Sequence, residues 1–95
     1  MGERRRAQRH ELHAQLRVYS VDESGETCSV VCNSCDISAT GLRIELPTPL
    51  APQSRIYAEW LDGEGYIEGT VQHCTRYGNW YRTGVAIDRQ AGMPY

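Results

Sequence analysis

Residues 12–19, LHAQLRVY, alternate apolar and polar without a break. Leu12, Ala14, Leu16 and Val18 fall on one side, and His13, Gln15, Arg17 and Tyr19 on the other. Period-two alternation marks a strand with one buried and one wet face, and no helix satisfies it. Within residues 11–21 this is the first strand. Five further segments read the same way: 27–38 (TCSVVCNSCDIS), 41–46 (GLRIEL), 54–61 (SRIYAEWL), 66–74 (YIEGTVQHC) and 80–87 (WYRTGVAI). In the third, Leu42, Ile44 and Leu46 point inward and Arg43 outward; in the fourth, Ile56, Ala58 and Trp60 share a face.

The punctuation between them is equally plain. DESGE at 22–26 and DGEG at 62–65 are turns. PTPLAPQ at 47–53 holds three prolines, which cannot donate to a sheet ladder, so it is a loop. TRYGN at 75–79 joins the last two strands, and DRQAGMPY at 88–95 reads as a polar tail too short for a substantial helix. Six short strands at this spacing predict an all-β fold, a small six-stranded antiparallel barrel. Closure removes the exposed edges that a small sheet protein must otherwise protect. The 95 residues make one domain: an Arg-rich, flexible N-terminal arm at 1–11 and the barrel at 12–95.

No run of eighteen apolar residues exists, so no helical membrane span is expected. The start, MGERRRAQRHE, is basic but has no apolar stretch behind it, unlike a secretory signal. The cysteines invite a zinc reading. Cys28, Cys32 and Cys35 lie along one predicted strand, where four residues span roughly 13 Å. Zinc ligands must all come within about 2.0–2.3 Å of one ion. No metal site is therefore expected, and small, semi-apolar thiols in a reducing cytoplasm account for them.

Charge is unevenly placed. Residues 1–17 hold five Arg against two acids, a net of +3, and the remainder holds five Arg against ten acids, a net of −5. There is no Lys. The arm carries Arg4 and then RRAQR, with Arg5 and Arg9 four apart. A planar guanidinium makes forked contacts to phosphate and to the O6/N7 edge of guanine, where Lys offers only a point charge. The second unusual stretch is CDISATGLRI at 35–44. A carboxylate, a hydroxyl and a glycine crowd a strand entrance. Asp36 and Ser38 there can bond their own backbone in a turn, or face a ligand, or both.

An RxxxR arm some thirty residues ahead of a DxSxxG strand entrance resembles the PilZ domain, the bacterial receptor for cyclic di-GMP. Arg5–Arg9 and Asp36-Ile-Ser38-Ala-Thr-Gly41 carry the resemblance. GLRI after the glycine and the closing GTVQHC…YRTGVAI extend it from about residue 3 to residue 87. The resemblance implies that the arm folds over the barrel and that Arg5 and Arg9 grip guanine and phosphate. Asp36 and Ser38 then meet a guanine edge, the carboxylate accepting from N1–H and N2–H₂, and Gly41 permits close backbone approach and a positive φ. Arg4 resembles the residue of family members that hold two stacked cyclic di-GMP molecules. His73 falls where the family often places an aromatic residue; as read from the pattern it is a core residue, with stacking on the ligand the alternative. Arg76 and Arg82 are secondary phosphate contacts or plain surface arginines.

The function expected is a non-catalytic cyclic di-GMP receptor, cytoplasmic, with no cofactor, whose closed arm presents a surface to a protein partner of unknown identity. Two other classes compete. One is an interaction module of the same fold that does not sense nucleotide. The other is a small barrel that stacks single-stranded nucleic acid on its tyrosines and tryptophans, which the acidic body opposes. Asp36, Ser38 and His73 contain the letters of a catalytic triad, but no GxSxG elbow accompanies them, so no enzyme is expected.

Overall fold

The structure, a computed structural model, describes residues 10–94 apart from 12 and 23; of residues 10, 11, 35, 93 and 94 it describes the backbone alone. Arg4, Arg5, Arg9 and Leu12 lie outside the described residues. The strands are β1 (His10–Glu11), β2 (Gln15–Val21), β3 (Thr27–Ile37), β4 (Gly41–Leu46), β5 (Arg55–Trp60), β6 (Gly63–Tyr77) and β7 (Trp80–Pro94). Every pairing is antiparallel. The order β3–β2–β5–β6–β7–β4 closes through a β3–β4 pairing into a six-stranded barrel. Among the described residues no helix is long and apolar enough to cross a membrane.

The alternation predicted for the inward face is the one that packs. Ala14, Leu16 and Val18, then Leu42, Ile44 and Leu46, then Ile56, Ala58 and Trp60 are all buried, joined by Cys32, Ile67, Val71 and Val85. Burying a Leu or Ile of this kind contributes roughly 1.5–3 kcal/mol each before chain entropy is charged against it. β3 runs unbroken through Cys28 and Cys32, which sit opposite Ser20 and Leu16. Among the described residues no three His, Cys, Asp or Glu side chains are grouped to hold a metal.

Two features depart from the sequence reading. First, the predicted strand at 11–21 is interrupted. β2 begins at Gln15, while His10 and Glu11 pair separately with Ile37 and Asp36 further along the same edge of β3. At the break, Ser34 Oγ accepts from Ala14 N and donates to Ala14 O, both at 3.2 Å, in a buried contact. Thus the end of the predicted arm already touches the barrel at the strand entrance.

Second, the last two strands are far longer than expected. The polar tail is strand as far as Pro94: Asp88–Pro94 belongs to β7, and Gly63, Glu64 and Gly65 pair with Pro94, Met93 and Gly92. Of segment DGEG only Asp62 is turn, together with Leu61 before it. Likewise TRYGN shrinks to a two-residue turn, Gly78–Asn79, with Tyr77 paired to Trp80. Gly78 has φ 65°, and a glycine with positive φ in the first central position suits a type II′ hairpin turn. Facing glycines explain the far end. Gly65 and Gly92 are paired, both with positive φ, and a Cβ on either would collide with the other strand's backbone. Fifteen extended residues span roughly 50 Å, and the molecule measures 48 × 28 × 24 Å.

Candidate functional site

Strict alternation would bury Asp36. Cys32 and Ser34 point into the barrel, so Asp36 would follow them inward. It does not, because the β3–β4 register shifts between Ser34 and Asp36. Cys35 is the extra residue of a β-bulge, and a bulge re-aims the side chains beyond it. Ser34 still faces Ile44, but Asp36 now faces Arg43 on the outer surface. The same device operates on β6. Ile67, Gly69 and Val71 are buried, and period two would carry His73 in with them. A register shift between Val71 and His73, with Gln72 as the extra residue, places His73 opposite Gly84 instead. His73 is exposed, which overturns its expected place in the core.

Two bulges on strands far apart in sequence therefore build one outward row, Asp36–Arg43–Gly84–His73, across β3, β4, β7 and β6. Adjacent strands lie ~4.8 Å apart, so the row is about 14 Å long. Gly84 provides its floor, since a Cβ there would collide with the imidazole of His73. Next to it runs a second row, Asn33–Glu45–Arg82–Thr75.

Between and beside these rows lies a cleft of about 610 Å³, lined by His13, Asn33, Ser34, Asp36, Arg43, Glu45 and Arg82. A shallower hollow of about 200 Å³ continues past it, over Thr40, Gly41, Gln72, His73 and Gly84. Arg43 borders both. Its guanidinium is held by Asp36, Nη1 to Oδ2 3.4 Å, with the Asp36 side chain only 15% exposed. Arg82 reaches Glu45 directly across the strand pair, Nη2 to Oε2 3.3 Å. Its Cζ also lies 4.5 Å from the centroid of the Tyr77 ring.

Ser38 is buried and occupied by its own turn. Its Oγ accepts from Gly41 N at 3.1 Å and from Thr40 N at 3.4 Å, while Ser38 N donates to Gly41 O at 2.8 Å. Of the backbone and ligand readings open at this entrance, the backbone one holds for Ser38, and Asp36 has a side-chain partner on the next strand. Gly41 opens β4 in extended form. The glycines with positive φ among the described residues are Gly25, Gly65, Gly78 and Gly92, so the positive φ expected at Gly41 is absent. What Gly41 supplies is an amide for Ser38 and a bare surface in the shallow hollow.

Asp36, Gly41, His73 and Arg82 thus come together on one face, with Ser38 shaping the turn beneath. Arg76 does not join them. It faces Tyr81, one position out of phase with Arg82, so the two guanidiniums leave the ribbon on opposite sides. Arg76 Nε donates to Gly78 O at 3.1 Å, within the hairpin tip. Sequence reasoning passed over Arg43, Glu45, Asn33 and His13. Arg43 was legible as the outward residue of GLRI, but nothing local says that a bulge on another strand aims a carboxylate at it.

The family model of the PilZ domain matches residues 3–92, and the chain belongs to that family. Among curated proteins none matches it in a sequence search. Two solved structures resemble it. One is the Bacillus subtilis inhibitor of motility MotI/DgrA, 18% identical with a TM-score of 0.65 over 94% of this chain and 44% of that one. The other is the K. pneumonia MrkH–c-di-GMP complex, 19% identical with a TM-score of 0.68 over 93% of this chain and 46% of that one. At these identities the likeness is one of fold. The chain spans less than half the length of either.

Proposed function

We propose that this chain is a cyclic di-GMP receptor module that binds the dinucleotide on the Asp36–Arg43–Gly84–His73 face and clamps it with the N-terminal arm. The observation that carries this is the pair of bulges. They turn a carboxylate and an imidazole, both due to be buried, onto one outer row with an arginine between them and a glycine floor. Turning a carboxylate out of alternation adds nothing to the core. On that row Asp36 and Arg43 offer an acceptor and a planar set of donors to a guanine edge, and His73 offers a ring face. The related K. pneumonia protein was solved with c-di-GMP bound, which supports the same ligand here.

Charge decides what the arm must supply. Around the cleft Asp36 and Glu45 balance Arg43 and Arg82, so the described face has no surplus for a ligand with two phosphates. The surplus is in the arm. Arg9 is one peptide unit from His10, hence about 3.8 Å away from it Cα to Cα, and His10 pairs with Ile37 at the entrance itself. Arg5 is within about 18 Å of His10 along the chain. In this scheme Arg5 and Arg9 grip phosphate and guanine, Ser38 and Gly41 hold the entrance in shape, and Arg4 brings the further cation for a second, stacked dinucleotide. The protein works without catalysis, in the cytoplasm, and its closed arm presents a new surface to a protein partner.

Calorimetric titration with cyclic di-GMP tests this. Saturation at two ligands per chain is expected, falling to one in Arg4→Leu. Saturation of the wild type at one ligand would refute stacking and leave the receptor. No heat and no competition by the dinucleotide would favour the nucleotide-blind interaction module.

A further inference from the structure

We infer that Arg82 is a switch between the ligand cleft and the tip of the β6–β7 hairpin, and that cyclic di-GMP draws it off Tyr77. This rests on the receptor function proposed above. Among the described residues the ribbon tip is the most exposed aromatic feature. Tyr77 is 60% and Trp80 48% exposed, they are paired across the two-residue turn, and residues 72–82 contain no carboxylate. Exposed Tyr and Trp beside Arg are the residue types that anchor protein interfaces.

Arg82 belongs to both places. It lines the cleft, and its guanidinium is parked over the Tyr77 ring with Glu45 at its Nη2. The ring is exposed and the carboxylate only half-buried, so neither of these contacts has the strength of a fully desolvated pair. A phosphate in the cleft offers a charge-assisted forked contact that outweighs either. Arg82 then turns inward and leaves one face of Tyr77 open next to Trp80. A ligand shifts an equilibrium only through its different affinity for the two states, and here that difference is the phosphate–Arg82 contact, present in one position of the side chain and absent in the other.

Linkage makes the switch testable without knowing the partner. Removing the ring removes a contact that favours the parked state, so Tyr77→Ala should tighten cyclic di-GMP binding by about two- to fivefold. A residue with a merely structural role would weaken binding or leave it alone. In parallel, the dinucleotide should change the tryptophan emission of the wild type. That change should vanish in Trp80→Phe, which removes the reporter, and in Arg82→Ala, which still binds but about three- to tenfold more weakly. Tyr77 and Trp80 are on the surface, so these variants keep the core intact. Binding with unchanged or weakened affinity in Tyr77→Ala, or a Trp80 signal that persists in Arg82→Ala, overturns the switch and leaves the receptor standing. Absence of wild-type binding in the calorimeter overturns the receptor itself, and the switch with it.

Discussion

Arg43 shows how little a side chain's chemistry says before its neighbours are known. On β4 it is the outward residue between two fully buried ones, Leu42 and Ile44. Asp36 makes it something else: a guanidinium fixed at one end, with its remaining donors facing two hollows. Arg43 is still partly open to solvent, so screening keeps the pair's contribution to stability small, and its value lies in orientation. The arm arginines are different, because they carry the charge the cleft lacks. Arg5→Ala or Arg9→Ala should weaken cyclic di-GMP binding at least tenfold, since a charge-assisted contact is worth roughly 1.5–3 kcal/mol. Calorimetry alongside a thermal melt checks this. Unchanged affinity in both variants would remove the arm from the site.

At the scale of the element, bulges and turns decide which face a residue serves. The β2–β3 turn is the clearest case of a side chain holding backbone. Asp22 Oδ1 accepts from Ser24 N and Glu26 N, each at 2.9 Å, and from Ser24 Oγ at 2.7 Å. The Ser24 hydroxyl, and then the Glu26 amide, hold the Asp22 carboxyl below its ordinary value of 3.8. A depressed carboxylate stabilises the fold above its unfolded pKa, and the contribution is lost as pH falls through the folded one. The turn should therefore be intact at neutral pH and loosen only below the ordinary carboxylate range. Amide exchange at Ser24 and Glu26, corrected for intrinsic rates, should gain protection from pH 2 to pH 5 in the wild type. It should be flat with pH in Asp22→Ala, and a flat wild-type profile would refute the assignment.

The whole molecule is a small barrel with a double-stranded ribbon running past it, and on the face proposed for the ligand Asp36 and Glu45 balance Arg43 and Arg82. Deleting residues 1–9 should leave the melting temperature within a few degrees, because the described core, from Ala14 to Val85, is a closed barrel without them, and should abolish cyclic di-GMP binding. In the intact chain affinity should fall steadily as salt is raised from 50 to 500 mM, since exposed charges are screened within about 10 Å at 0.1 M. A truncated chain that binds as tightly as the full one would place the whole site on the barrel. The sequence by itself determined the six strands of the barrel, the inward residues of β2, β4 and β5 and the two motifs, because alternation, prolines and glycines act over a few residues. Only the tertiary structure decided that Asp36 and His73 face outward together, that Arg43 lies between them and that the tail is strand. Each depends on a register between strands distant in the chain. A bulge changes the phase of the alternation without changing a residue, and a strand's partner lies outside any local window.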